Sequence, residues 1–185
     1  MNIFNTADLC DENDDIQIAD PIFKSYGERE KFYGKIRTVS VQDDNSFVKK
    51  LINEKVKGDV MVIDGKGSFK CALLGDNLAR CACQNGWAGF IINGCIRDSA
   101  IINNIDIGIK AINTMPKKSE KKDIGKYGDN LKFANVVFEE GDYVYSDADG
   151  IVVSKKPLTH NNEAKGTNSS LPYNLVTYVK RMNND

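Results

Sequence analysis

The spacing of apolar residues changes several times along the chain, and each change predicts a different element. Polar and apolar positions alternate over Gly34–Val41, which predicts a strand. Apolar residues within Ser46–Lys55 recur at helical spacing, which predicts a helix. Two short apolar runs, Asp59–Asp64 and Gly89–Asn93, predict buried strands on either side of a helix at Asn77–Asn85. This order of strand, helix and strand predicts a βαβ unit and an α/β fold.

The same pattern predicts further elements outside the βαβ unit. They are a helix at Thr6–Asp14, strands or short elements at Ile105–Ala111 and Phe133–Phe138, and a hairpin of Gly141–Tyr145 with Gly150–Ser154. The segment Pro116–Asn130 is rich in lysine and glycine and has no apolar periodicity, which predicts a mobile surface loop. We predict one domain over residues 1–157. A polar extension over 158–185 is expected to be partly disordered or to form a short helix at Leu171–Met182.

Composition narrows the classes of function. The 185 residues fit one domain, and 41% apolar residues can build its core. The 25 basic and 26 acidic residues leave a net charge of −1, which provides no electrostatic basis for binding nucleic acid. No leader segment and no membrane-spanning apolar run is apparent, so we expect no membrane association and a cytoplasmic location. The single histidine and five cysteines without a CxxC pair disfavour a zinc site and a histidine-dependent triad.

Three polar segments are expected to meet beyond the carboxyl ends of the parallel strands, where α/β sheets bind ligands. They are Gly65–Ser68, Gly75–Leu78 and Asn93–Asp98. The second segment begins a helix, so its unpaired amides favour a carboxylate. Arg97 provides a planar fork for the same carboxylate, and Asp76 and Asp98 provide hard oxygen ligands for Mg²⁺ or Mn²⁺. These groups suit a small 2-oxo acid. Simple capping of the helix and a surface ion pair of Arg97 with Asp98 remain alternatives.

Several ordered motifs together resemble one known family. They are Gly75-Asp76-Asn77-Leu78-Ala79, Asn85-Gly86-Trp87-Ala88-Gly89, Asn93-Gly94-Cys95-Ile96-Arg97-Asp98, Asp106-Ile107-Gly108-Ile109-Lys110-Ala111 and Asp147-Ala148-Asp149-Gly150-Ile151. Over about residues 5 to 157 the chain resembles the 4-hydroxy-4-methyl-2-oxoglutarate aldolases and regulator of ribonuclease activity A-like proteins. The resemblance implies a divalent-metal-dependent class II aldolase that forms pyruvate from such 2-oxo acids. It also implies decarboxylation of oxaloacetate, because both reactions release the enolate of pyruvate.

The resemblance further implies a fold, an assembly and residue roles. The fold would be an α/β/β sandwich of the swivelling phosphohistidine-domain type, assembled as a homotrimer or a dimer of trimers with the active site between subunits. The amides of Gly75, Asp76, Asn77 and Leu78 would hold the substrate, Arg97 would bind its carboxylate, and Asp98 would ligate Mg²⁺ or Mn²⁺. Asp76 would be the supporting acid, acting on metal-bound water.

The position of an acidic residue relative to Arg97-Asp98 distinguishes two versions of this site within the family. Active members that the chain resembles have an acid, twenty residues and then Arg-Asp, and Asp76 with Arg97 satisfies this spacing. Other members carry an acid three residues after the aspartate, where this chain has Ile101. The alternative function is a non-catalytic regulator that inhibits a ribonuclease by direct binding. The intact Arg97-Asp98 pair disfavours it, because the bacterial regulator lacks that pair.

Other charged and aromatic residues receive simpler interpretations. Asp147, Asp149, Glu139 and Glu140 stay open as acids donated by a neighbouring subunit. Lys66 is interpreted as a solvated turn residue rather than a Schiff-base lysine, and Trp87 as a core or subunit-interface residue. A cluster of four lysines in the predicted loop is interpreted as a solvated loop face, with binding of an acidic partner as the alternative. It comprises Lys117, Lys118, Lys121 and Lys122.

Overall fold

The computed structural model describes residues 4–158, which fold around one mixed sheet. Its helices are α1 (Thr6–Glu12), α2 (Ser46–Ile52), α3 (Asp76–Gln84) and α4 (Ser99–Ile102). Its strands are β1 (Gln17–Ile18), β2 (Lys24–Tyr26), β3 (Phe32–Ser40), β4 (Val60–Leu74), β5 (Gly89–Ile96), β6 (Gly108–Thr114), β7 (Lys126–Tyr127), β8 (Leu131–Phe133), β9 (Val136–Phe138), β10 (Tyr143–Ser146) and β11 (Ile151–Ser154).

Within the described chain the main sheet has nine strands in the order β1-β11-β10-β3-β4-β5-β6-β2, with β7 also paired to β3. The four central strands β3, β4, β5 and β6 are parallel neighbours, whereas β2, β10 and β11 pair antiparallel. Strands β8 and β9 form a separate hairpin. The predicted α/β class and the βαβ unit of β4, α3 and β5 are therefore confirmed.

Alternation along the central strands divides the core into two faces. Met61 and Ile63 of β4 pack with buried residues of α2 and α3, whereas Val60 and Val62 pack with the β8–β9 and β10–β11 strands. Successive side chains of a strand point to opposite faces, so the same run of apolar residues supplies both cores. Trp87 is buried at 2% exposure, and its indole Nε1 donates to the carbonyl of Ile52 at 3.2 Å. Trp87 is therefore a core residue that links β5 to α2.

Three sequence predictions need correction at element boundaries. The predicted turn at Gly65–Gly67 does not end its strand, because β4 continues to Leu74 through register shifts after a left-handed bend at Lys66 and Gly67. The predicted strand Phe133–Phe138 is a tight hairpin, since Ala134 and Asn135 both have positive φ. The segment predicted as a loop contains strand β7. Pairing with strands distant in sequence decides the extent of β4 and β7, whereas the β8–β9 hairpin is formed by local pairing.

Two further observations concern the C-terminal tail and the possibility of a membrane-spanning helix. The predicted tail helix at Leu171–Met182 and the predicted disorder lie outside the described residues. Within residues 4–158, none of the four helices has the length and apolar composition needed to cross a membrane.

Candidate active site

Helix α3 starts directly after β4, and two of its first amides have no protein acceptor. Gly75 is the N-cap in an extended conformation, and it has no side chain with which to cap the helix. Within the described chain, no residue accepts a hydrogen bond from the amides of Asn77 and Leu78. Free N–H groups at the positive end of a helix favour an anion. Capping from within residues 75–77, the alternative interpretation, leaves the amides of Asn77 and Leu78 unpaired.

The turn after β5 brings Arg97 and Asp98 to this helix start. The amide of Arg97 donates to the carbonyl of Leu74 at 2.9 Å, which places the end of β5 beside the end of β4. Arg97 Nε lies 3.4 Å from Asp98 Oδ2, and the same oxygen accepts a hydrogen bond of 3.4 Å from the amide of Asp76. The predicted segments at residues 75–78 and 93–98 therefore meet.

Gly75 is required by this close approach. A Cβ atom at position 75 would lie 2.9 Å from Asp98 Oδ2 and 3.2 Å from Arg97 Nε. Real Cβ atoms essentially never come within 3.0 Å of such an atom, so any larger residue would displace the carboxylate of Asp98. The absence of a side chain at this position lets the backbone of the helix start pack against the Arg97-Asp98 pair.

Asp98 is held in an uncommon backbone conformation. Its φ of 57° and ψ of 34° lie in the left-handed region, which aspartate and asparagine adopt more readily than most residues. Its carbonyl accepts hydrogen bonds from the amides of Ile101 and Ile102, both at 3.0 Å. Such strained residues concentrate at functional sites, where the surrounding structure holds them in place. This backbone conformation accompanies the position of the Asp98 carboxylate beside the start of α3.

The carboxylates fit a hard divalent cation bound mainly through water. No described residue donates a hydrogen bond to Asp98 Oδ1, so that oxygen is open to a ligand. The nearest cation to Asp76 Oδ2 is Arg80 Nε at 3.9 Å. Within residues 4–158, no group of three or more histidine, cysteine or acidic side chains is placed to hold a metal ion by itself. Mg²⁺ commonly binds one or two carboxylates and keeps several waters, so Asp98 with Asp76 nearby is a suitable donor set.

The helix start lines one end of an open cleft of about 770 Å³. Gly75, Asp76, Asn77, Leu78 and Arg97 line it, whereas Asp98, the predicted metal ligand, is not among its lining residues. The predicted first segment, Gly65–Ser68, does not line it either. Lys66 instead pairs with Asp64, with Nζ 2.6 Å from Oδ2, which agrees with its interpretation as a turn residue.

The cleft also contains residues that the sequence did not indicate. Helix α2 contributes Lys49 together with its N-cap Asn45 and its C-cap Asn53. The loop after β6 contributes Lys118, Ser119, Glu120 and Lys121. The residues at 45, 49 and 53 repeat every four positions and therefore form one stripe along α2. This spacing could have been read from the sequence, but the stripe's position beside α3 depends on the tertiary fold.

A buried carboxylate holds the loop against α2. Asp44 is fully buried and accepts hydrogen bonds from the amides of Ser46, Lys122 and Ile124, at 2.7, 2.9 and 3.0 Å. Burial alone would raise the pKa of Asp44, but these amide hydrogen bonds outweigh it and lower the pKa to about 2. The carboxylate is therefore ionised at neutral pH and fixes residues 122–124 beside the start of α2.

Three of the four acids left open for a neighbouring subunit have side-chain partners within this chain. Glu139 Oε1 accepts a hydrogen bond from Lys155 Nζ at 3.2 Å, and Asp147 and Glu140 are held by several contacts. Both oxygens of Asp147 accept hydrogen bonds from Thr6, at 2.7 Å from its amide and 2.6 Å from its hydroxyl. Glu140 binds Arg37 Nε at 2.8 Å and the amide of Thr38 at 2.6 Å. These two carboxylates therefore have structural contacts that a role in another subunit would have to break.

Comparisons with known proteins agree with the motifs noted in the sequence. The profile of the RraA-like family, described as Aldolase/RraA, matches residues 6–153. A protein of Marinomonas sp. (strain MWYL1), named "Putative 4-hydroxy-4-methyl-2-oxoglutarate aldolase", is 53% identical over 152 residues, covering 82% of this chain and 94% of its own. A protein of the same name from Dechloromonas aromatica is 47% identical, covering 84% of this chain and 99% of its own.

Two solved structures share the fold at clear sequence identity. One from Geobacillus kaustophilus, described as an S-adenosylmethionine: 2-dimethylmenaquinone methyltransferase, is 49% identical with a TM-score of 0.82, covering 84% of this chain and 97% of its own. The other, described as the RNA-processing inhibitor RraA from Thermus thermophilis, is 36% identical with a TM-score of 0.83, covering 86% and 98%. The names attached to this fold thus cover a lyase, a transferase and an inhibitor.

Proposed function

The chain belongs to the RraA-like family, and on that premise we propose that it is a divalent-metal-dependent class II aldolase. It cleaves 2-oxo acids of the 4-hydroxy-4-methyl-2-oxoglutarate type to pyruvate, and it also decarboxylates oxaloacetate. The observation that carries this proposal is that the free amides of Asn77 and Leu78 line the same cleft as Arg97, and that Asp98 contacts Arg97 and the amide of Asp76 directly beside them. Amides and a guanidinium bind a carboxylate, and the adjacent aspartate can hold a cation beside it.

Each site residue has a defined part in this proposal. The fork of Arg97 and the free amides of Asn77 and Leu78, within the predicted segment Gly75–Leu78, bind the substrate's 1-carboxylate and thereby fix the orientation of its 2-keto group. Asp98 holds Mg²⁺ or Mn²⁺, which supplies Lewis acidity for charge that develops on the keto oxygen. As the bond between carbons 3 and 4 breaks, the 4-hydroxyl loses its proton, and Asp76 accepts it through water. The 4-oxygen then forms the carbonyl group of the departing 2-oxo acid. Carbon 3 retains the electron pair of the broken bond and takes a proton from solvent, which yields pyruvate.

The wider assembly and location are also proposals. We expect a homotrimer or a dimer of trimers with the cleft at a subunit boundary, in the cytoplasm, and a fold of the swivelling phosphohistidine-domain type. Their support is the family resemblance, together with core faces covered by helices on one side and by strands on the other. We also expect residues 1–157 to be the functional domain, with 158–185 as an extension.

Inhibition of a ribonuclease is the second candidate function, because the 36% identical Thermus protein is described as an RNA-processing inhibitor. The cleft supports catalysis over inhibition. Arg97 and Asp98 are both about one-third exposed, and Asp98 Oδ1 is unbonded among the described residues. A purely structural ion pair would not need an open cleft or free amides beside it, so catalysis is preferred.

The test is pyruvate release from 4-hydroxy-4-methyl-2-oxoglutarate and from oxaloacetate, measured with Mg²⁺ and again with EDTA. Asp98→Asn is the most informative variant, because asparagine tolerates the same left-handed backbone while removing the charge. We expect EDTA, Asp98→Asn and Arg97→Met each to reduce kcat/KM by about a hundredfold or more. The exposed Asp15→Asn, which breaks only a surface pair with Lys156, should leave turnover unchanged.

Different failures of this test have different meanings. Full activity in EDTA and in Asp98→Asn would contradict the metal mechanism. Absence of turnover by the wild-type chain, combined with binding to a ribonuclease, would favour the inhibitor function. Methyl transfer from S-adenosylmethionine would contradict the assignment as a lyase.

A further inference from the structure

Helix α2 forms a polar wall of the cleft, at a distance in sequence from the residues proposed to bind the reacting end of the substrate. Its buried face consists of Val48, Leu51 and Ile52, so the phase of the helix directs position 49 away from the core. The stripe of Asn45, Lys49 and Asn53 lines the same cleft as Arg97 and the start of α3. The lysine is therefore placed by a helix whose core face fixes its rotation.

The two asparagines of the stripe already use their side-chain amides within the protein. Asn45 Nδ2 donates to the carbonyl of Leu73 at 3.1 Å, which braces α2 against β4. Asn53 Nδ2 donates to the carbonyl of Lys49 at 3.0 Å, and Cys81 Sγ lies 3.5 Å from Asn53 Oδ1. These contacts hold α2 beside α3 and leave the ammonium group of Lys49 as the free donor of the stripe.

Lys49 differs in charge environment from its neighbour in sequence. No acidic side chain in the described part of the chain lies within 4 Å of the Lys49 ammonium. Lys50, by contrast, pairs with Asp123 and does not line this cleft. An ammonium without a counter-charge in a concave site attracts an anion that enters the cleft. The two adjacent lysines thus provide a matched comparison between a cleft-facing cation and a paired surface cation.

We propose that Lys49 binds the second carboxylate of the substrate and sets a preference for dicarboxylic over monocarboxylic 2-oxo acids. This inference rests on the proposed function, in which Arg97 and the amides of Asn77 and Leu78 bind the first carboxylate. Those groups neutralise only the reacting end of the molecule. A cation on α2 supplies a charge-assisted contact for the other end, and a monocarboxylate cannot make that contact.

Binding of unreactive analogues tests the assignment without turnover. The dissociation constants of 2-oxoglutarate and 2-oxopentanoate, which have the same chain length, are measured by calorimetry with Mg²⁺ present. The wild-type chain should prefer the dicarboxylate by about tenfold or more, the ratio expected for one charge-assisted hydrogen bond. Lys49→Met should remove this preference by weakening binding of 2-oxoglutarate alone. Lys50→Met should retain it, since that lysine is paired outside the cleft.

Three results would overturn the assignment. They are a wild-type chain without preference, a Lys49→Met variant that keeps the preference, and a Lys50→Met variant that loses it equally. Because Lys118 and Lys121 line the same cleft, Lys121→Met is measured in parallel, and loss of the preference only there would also overturn it. Failure of the proposed function is distinguishable, since it appears as absence of pyruvate release by the wild-type chain. In that case the analogue binding still decides whether Lys49 selects dicarboxylates.

Discussion

Gly75 shows how a single residue determines the geometry of the site. Its backbone is extended, with φ −132°, so any residue could adopt its conformation. The restriction is steric, because the carboxylate of Asp98 and the guanidinium of Arg97 lie close to the position that a Cβ atom at residue 75 would occupy. The atoms in conflict belong to side chains that can move. A larger residue at 75 should therefore be tolerated by the fold and damaging to the site.

We predict that Gly75→Ala lowers kcat/KM by at least about tenfold while changing the free energy of unfolding by less than about 1 kcal/mol. The added methyl group would push Asp98 Oδ2 from its position 2.9 Å away. Turnover and urea unfolding of the same preparation measure the two effects. Gly150→Ala is the control, because its Cβ would meet no atom within 4 Å and it lies outside the cleft. Equal activity of Gly75→Ala and wild type would contradict this account of the glycine.

At the scale of elements, Asp44 connects the start of α2 to the loop after β6. The loop was predicted to be a mobile surface segment, yet the amides of Lys122 and Ile124 bind this fully buried carboxylate. The same loop contributes Lys118–Lys121 to the wall of the cleft. A carboxylate with several amide donors is a strong local anchor because each hydrogen bond is charge-assisted. The sequence contains no local signal for this contact, since about eighty residues separate Asp44 from the loop.

We predict that Asp44→Asn lowers the free energy of unfolding by about 2 kcal/mol at pH 7, through loss of charge-assisted hydrogen bonds. The folded pKa of Asp44 is about 2, below its ordinary value of 3.8, so its contribution is present above about pH 4 and is lost as the pH falls towards 2. Urea unfolding over this pH range should show the two proteins converging. A difference that stays constant down to pH 2 would contradict the role of the charge. Asp129→Asn, which breaks only the surface pair with Lys126, should change stability little.

At the scale of the whole molecule, a polar contact joins the two ends of the described chain. Asp147, in the turn between β10 and β11, binds Thr6 at the start of α1, and its carbonyl accepts from the buried Lys110 Nζ at 2.5 Å. Hydrogen bonds from Thr6, Asp149 and Gly150 lower the pKa of Asp147 despite its burial. The turn between β10 and β11, at one end of the main sheet, is thereby held against helix α1. An active site shared with a neighbouring copy would have to form around this arrangement.

The proposed assembly is tested by light scattering at the concentrations used for turnover. We predict a particle three or six times the mass of the 20.6-kDa chain, because the family resemblance implies a site between subunits. Dilution should reduce turnover per chain once the particle dissociates. A monomer with undiminished kcat would contradict an active site shared between subunits. The roles of Arg97 and Asp98 would then still be tested by the turnover of the Arg97 and Asp98 variants.

Much of the fold could be predicted because periodicity is a local property. Alternation in Gly34–Val41 and helical spacing in Ser46–Lys55 correspond to β3 and α2 within a few residues. The β4–α3–β5 order was sufficient to predict that Gly75–Leu78 and Arg97-Asp98 would meet. Boundaries were less predictable. The continuation of β4 to Leu74 depends on pairing with β5, which a local pattern does not contain.

The sequence was therefore sufficient for the α/β class, the family and two of the three segments predicted to meet at the candidate site. The tertiary structure alone decided what else reaches the cleft. The stripe containing Lys49 and the loop anchored by Asp44 are placed there by the packing of α2 beside α3 and by hydrogen bonds across the chain. Spacing along a chain specifies which face of an element is apolar, but the position of one element beside another follows from packing between distant residues.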